Sequence, residues 1–398
     1  LLLVSGPDGR AGDSVGYEGF IHEALQRNPE VGALSHQVQA ASAALPGAAA
    51  WPEPMLEFML QDVGLPRPTP MSMAVLELRQ PLPFPGKRAA REESARAEVG
   101  GRMAALHEFR AALVLRLRGL WSRLYGIDRE RALVGEGRQL LADLVESASG
   151  RYATGQAGLK DALRARLAMA RIEERAEDLR AGRQALESEL GRMLARPGPV
   201  VPPEVTDLPP TERPSRPWLE LALERAPTLA RARAELLRAT RRLEQARLEG
   251  RPDFFVGLGA GVTFAPEPVL GLKAGVSLPL WSANREPPVA AAEQELGAAL
   301  ERLRGAEDEV RTRVETLRIA LASSAAQVER FRDAIEPQAR AALETARLSY
   351  ESGGQELSDV VDAFEAWLEA RLGQARRESM RFEAWAGLRE LAGEEGAP

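Results

Sequence analysis

The chain contains one pattern twice. Tyr152, Gly155, Leu159 and Asp161 return as Tyr350, Gly353, Leu357 and Asp359 with identical internal spacing, an offset of 350 − 152 = 198. Ala24, Leu25, Arg27 and Pro29 return as Ala222, Leu223, Arg225 and Pro227, and 227 − 29 is again 198. Arg88 lies opposite Arg285, and Leu194 opposite Leu391, both at offset 285 − 88 = 391 − 194 = 197. Four matches in order at a nearly constant offset mean tandem duplication.

The first repeat takes 17–196 and the second 218–398. Between them, 197–217 holds Pro199, Pro202, Pro203, Pro209, Pro210 and Pro214. So many prolines forbid helix or central strand and predict an extended connector. Ahead of the first repeat, 1–16 opens Leu1, Leu2, Leu3, Val4 without a Met, which reads as an N-terminal tail left from a signal-peptide apolar region.

Each repeat reads helix, strand, strand, long helix, helix, a fold that is mainly α with a small β part. The first helix starts near Asn28, Pro29 and Glu30, where Asn caps, Pro suits the first turn and Glu complements the dipole. Strands follow over about 53–62 and 72–82, and again over about 253–264 and 269–280. In the second hairpin Phe254, Val256, Leu258, Ala260 and Val262 alternate with Phe255, Gly257, Gly259, Gly261 and Thr263. That period of two, with an apolar and a small or polar face, fits a tilted barrel wall. Four strands cannot close a barrel, and open edges are not tolerated in lipid, so the remaining strands must come from other copies. The competing reading is an edge-protected sheet in a soluble protein.

The long helices carry apolar residues at coiled-coil spacing. Leu113, Leu117, Leu120 and Leu124 lie in the first. Leu296, Leu300, Leu303, Val310, Val314, Leu317, Leu321, Val328, Phe331 and Ile335 fit one unbroken heptad register in the second. From Lys87 to about 150 the helix would run ~95 Å. Each then meets a Tyr-x-x-Gly turn whose glycine supplies the reversal.

Composition narrows the chemistry. Charged residues make 28% and aromatics only 5%, as in long amphipathic helices. The 52 basic and 58 acidic residues are interleaved, so no nucleic-acid surface is expected. There is no Cys, and His22, His36 and His107 are scattered, which leaves no ligand spacing for a metal and no nucleophile in a recognisable setting. No catalytic residue, cofactor or resident metal is expected. Gly257, Gly259 and Gly261 do not lead into a helix, so they are not a dinucleotide loop. Met55, Met59, Met71 and Met73 read as lipid-facing or packed apolar side chains before they read as soft-metal ligands. No stretch approaches the ~20 apolar residues of a spanning helix, so any membrane role must use strands. Asp359 and Asp362, with Asp161 equivalent to Asp359, stabilise helix N-termini in the simplest reading. Repeated around an oligomer, they would form carboxylate rings at a pore end.

The residues Ala24 to Pro29, the run from Gln80 to Arg88, the run from Gly275 to Trp281 and the two Tyr-x-x-Gly turns resemble the TolC-like outer-membrane efflux proteins. The Gln80–Arg88 segment resembles the metal-cation efflux branch in particular. The resemblance implies a homotrimer in the outer membrane of a Gram-negative bacterium, with a 12-stranded transmembrane β-barrel shared by the trimer and a long α-helical barrel in the periplasm. It implies a periplasmic adaptor protein and an inner-membrane pump of the resistance-nodulation-division type as partners, besides outer-membrane lipid. It assigns Tyr152, Asp161, Tyr350, Gln355, Asp359 and Asp362 to a periplasmic aperture, and Thr154, Gly155, Ser352 and Gly353 to the adaptor contact. Some relatives carry Arg where this chain has Gln355, which weakens the expectation of a charge lock there. The function implied is a passive exit duct. A soluble coiled-coil scaffold and a duct for type I protein secretion are the alternatives.

Overall fold

The computed structural model describes residues 16–61, 72–212, 214–263, 268–278 and 286–393. Most of the N-terminal tail, Met71, and Pro279 to Arg285 with Trp281 lie outside them. The elements are α1 (Tyr17–Arg27), α2 (Pro29–Ala49), β1 (Met55–Gln61), β2 (Met73–Leu82), α3 (Lys87–Ala153) and α4 (Leu159–Met193). They recur in the same order as α5 (Trp218–Arg225), α6 (Pro227–Glu249), β3 (Phe254–Thr263), β4 (Pro268–Val276), α7 (Glu286–Arg330), α8 (Glu336–Glu351) and α9 (Leu357–Leu391).

Two departures from the sequence reading have local causes. A short helix precedes the expected first helix in each repeat. Pro29 and Pro227 lack an N–H and push the residue before them out of helical geometry, so Asn28 (ψ 124°) and Ala226 (ψ 128°) are extended and split one helix into two. The unbroken heptad also fails at its end, because Phe331–Ile335 form a π turn in which the Glu336 N–H bonds to the Phe331 carbonyl. Pro337 cannot donate to the preceding turn, and the extra residue absorbs the fault. The Phe331 ring lies against Gly373, where an added Cβ would come within 2.5 Å of it.

The chain divides into two compact units. One comprises Ala33–Glu108 and Thr228–Asp308. Its sheet has the order β1-β2-β3-β4, antiparallel throughout. The register puts Phe58 opposite Leu76, Leu76 opposite Ala260, and Ala260 opposite Leu270. Alternation does the rest. Leu56, Phe58, Leu76, Leu78, Leu258, Leu270 and Leu272 share one face and all are exposed, Leu272 to 84%. Glu57, Glu77, Arg79, Lys273 and the glycines share the other. Met55, Met59 and Met73 sit on this polar face too, so they are not on the apolar face expected of lipid-facing methionines; their odd-numbered parity matches Glu57 and Glu77.

The Gln80–Arg88 segment joins strand to helix. Gln80 Nε2 donates to the carbonyls of Pro52 and Pro81 (2.9 Å each). Lys87, 2% exposed, reaches Asp253 at 2.8 Å, and the same carboxylate accepts the Phe84 N–H at 2.8 Å. Arg88 donates to the Ala49 carbonyl (2.6 Å) and stacks over Trp51. The motif is therefore a junction that satisfies the groups its prolines leave open.

The other unit comprises Leu1–Gly32, Phe109–Pro227 and Glu309–Pro398. Leu113, Leu117, Leu120 and Leu124 of α3 are at most 4% exposed, as a coiled-coil seam requires. Around the lower hairpins the core joins Leu141 and Ala148 of α3, Ile172 of α4, Leu343 and Tyr350 of α8, and Leu357, Phe364 and Trp367 of α9. A buried cluster is one of the anchors of the proline-rich connector. Asp128 accepts Arg183 Nε (2.8 Å) and the Val205 N–H (3.0 Å), while Arg183 donates to the Pro202 carbonyl (3.1 Å) and pairs with Glu187.

Candidate functional site at the hairpin tips

Two helical hairpins, α3–α4 and α8–α9, reverse at 154–158 and 352–356. In the first, the Gln156 N–H bonds to the Arg151 carbonyl (2.7 Å) and the Gly155 N–H to Tyr152 (3.0 Å). In the second, the Gly354 N–H bonds to Ser349 (2.8 Å) and the Gly353 N–H to Tyr350 (3.0 Å). Both are six-to-one closures with the glycine left-handed, Gly155 at φ 73° and Gly353 at φ 80°. A side chain at either position would meet its own backbone, so glycine is what lets a helix stop and turn within five residues.

This geometry collects most of the expected residues at the tips. Thr154, Gly155, Ser352, Gly353 and Gln355 are exposed on the turns. Asp161 lies in the first turn of α4, and Asp359 in that of α9 with Asp362 one turn on. Asp359 and Asp362 are exposed, and among the described residues no ion pair neutralises them. Open carboxylates at positive helix ends are available to a cation or to a facing copy.

The two tyrosines differ although the repeat makes them equivalent. Tyr152 is 47% exposed, whereas Tyr350 is 3% exposed. Arg151 of the first hairpin covers it, donating through Nη1 to the Tyr350 carbonyl (2.5 Å) with Cζ 4.8 Å from the ring centroid. Burial pushes the Tyr350 phenol above its ordinary pKa; the Arg151 guanidinium opposes this and the Asp161 carboxylate adds to it. A weaker cross-hairpin pair, Lys160 to Glu356 at 3.8 Å, is exposed on both sides.

Among the described residues no His, Asp and Glu gather into a metal-binding group, and no helix is long and apolar enough to cross a membrane. What remains is a sheet with a lipid-compatible face, and hairpins with open carboxylates.

Residues 218–394 match the family model described as outer membrane efflux protein. The match lies within the second repeat. Solved structures with the same fold include the outer membrane protein VceC of Vibrio cholerae, with a TM-score of 0.81 at 18% identity over 95% of this chain and 96% of that one. CusC gives 0.80 at 16% identity, covering 95% and 92%. The CmeC outer membrane channel of Campylobacter jejuni gives 0.77 at 13% identity, covering 95% and 85%. No curated protein sequence matches the chain.

The sequence reading overlooked Arg151. Its signal was faint: it precedes Tyr152 in the repeated motif, but the equivalent position, 151 + 198 = 349, is a serine. Only the packing of α3 beside α8 brings it to Tyr350.

Proposed function

We propose that the chain is one protomer of a homotrimer whose three sheets close a 12-stranded barrel. The trimer would conduct solutes passively from a periplasmic adaptor and an inner-membrane pump of the resistance-nodulation-division type. Metal cations are the solute class we infer, on the likeness of the Gln80–Arg88 segment to the metal-cation branch. The open carboxylates of Asp359 and Asp362 are compatible with that class. The adaptor would dock on Thr154, Gly155, Ser352 and Gly353, and the aperture would be lined by Tyr152, Asp161, Gln355, Asp359 and Asp362, with Tyr350 packed behind Arg151.

One observation carries the reading. The four-stranded sheet exposes a continuous apolar face while β1 and β4 each keep an unpaired edge. In water that face would favour aggregation; in lipid the edges would be uncompensated, so the sheet is stable only when further copies continue it. The test is to purify the protein in detergent, measure its mass and record conductance in planar bilayers. A mass of three chains with discrete conductance steps is expected. A water-soluble monomer without pore activity would sink the proposal.

A further inference from the structure

We propose that Arg151 is a positioning residue that holds the two hairpin tips of one protomer together and so keeps the resting duct narrow. This rests on the duct reading above, and it adds a residue which the repeated motif does not reveal.

Three contacts on a single guanidinium support it. Nη1 donates to the Tyr350 carbonyl at 2.5 Å. The planar group lies over the Tyr350 ring, with Cζ at 4.8 Å. Nη2 is 3.7 Å from the point a Cβ on Gly353 would occupy, so the group also abuts the second turn. Arg151 thus touches the last turn of α8, the aromatic ring and the reversal, all on the opposite hairpin. A guanidinium can do this because it is flat, permanently charged and forked; an ammonium can make the carbonyl bond but cannot stack in the same way.

The acceptor is a backbone carbonyl near the C-terminal end of α8. Such carbonyls have no partner inside the helix and carry partial negative charge, so a cation there answers two needs at once. Separating the tips would strip the carbonyl of this donor and expose the buried ring.

Ser349 stands where the second repeat would need its own arginine, and Tyr152, the counterpart of Tyr350, is left exposed. The lock therefore works in one direction, from the first hairpin onto the second. It also supplies cross-hairpin charge in a chain that carries Gln355. The remaining cross-hairpin pair, Lys160 with Glu356, is long and exposed and contributes little.

The experiment compares single-channel conductance of the intact protein in planar bilayers for wild type, R151A, R151K and K160A, alongside thermal unfolding in detergent. R151A is expected to raise resting conductance about twofold or more, with R151K between it and wild type and K160A at the wild-type value. The unfolding temperature of R151A is expected to fall only slightly, because one hydrogen bond and one cation–π contact are lost at the ends of the hairpins. If wild type conducts and R151A conducts no more than wild type, the inference is overturned while the duct reading stands. If K160A opens the channel as far as R151A, closure is not specific to Arg151 and the inference also fails. If wild type forms no channel, the duct reading itself has failed.

Discussion

Single glycines and long side chains fit each other on the polar face of the sheet. An added Cβ on Gly257 would lie 2.9 Å from Glu77 Oε1, and one on Gly275 would strike the Phe255 ring. Phe255 in turn carries Arg79, whose Cζ is 3.7 Å from the ring centroid, while Lys273 reaches across β3 to Glu77 at 2.5 Å. The glycines are seats for neighbours' side chains, not simply a smooth lining. At the tips the relevant residues are Asp359 and Asp362, which have no such partner among the described residues. Replacing both with Ala should raise single-channel conductance and weaken cation selectivity, because a ring of negative charge at a narrow end both attracts cations and holds water. Unchanged conductance and reversal potential would remove them from the aperture.

Elements in this protein are defined by where they are interrupted. Pro29 and Pro227 split helices, Pro337 forces a π turn, and the Pro-rich connector stays extended. The connector has few backbone hydrogen bonds of its own and depends on side chains of α3 and α4, with Trp385 of α9 donating to the Glu212 carbonyl (2.8 Å). Asp128 is 1% exposed and Arg183 11%, so removing the carboxylate leaves a cation with reduced compensation and frees the Val205 N–H. Asp128→Ala should destabilise the protein by about 3 kcal/mol or more, the usual cost of breaking a buried pair. A thermal unfolding curve in detergent that matched wild type would show that the connector is held by other contacts.

At the scale of the whole protein, the apolar sheet face must choose a solvent. Leu272 is 84% exposed in the single chain, while Lys273 beside it points to the opposite face. Leu272→Arg should prevent stable insertion, since an arginine on the lipid face costs roughly 2–4 kcal/mol near the bilayer midplane and would act three times in the proposed trimer. Recovery of the variant in the outer membrane fraction at the wild-type level would contradict a lipid-facing role. A substitution of Lys273 tests the other face and should leave insertion intact.

The amino-acid sequence by itself determined the class of fold and its parts. The period of two marks the strands, the period of three and four marks the helices, and proline and glycine mark the breaks, because these effects act within a few residues of their source. It also located Tyr152, Asp161, Tyr350 and Asp359, since duplication prints them twice. The sequence overreached where a local fault depended on packing, as when the heptad ran into the π turn seated on Gly373. Only the tertiary structure decided that Arg151 crosses to Tyr350 or that Asp128 grips the connector. Those contacts join residues separated by 151→350 and 128→205, and no local rule carries information over such distances. Local periodicity fixes which face a side chain takes; packing fixes what that face meets.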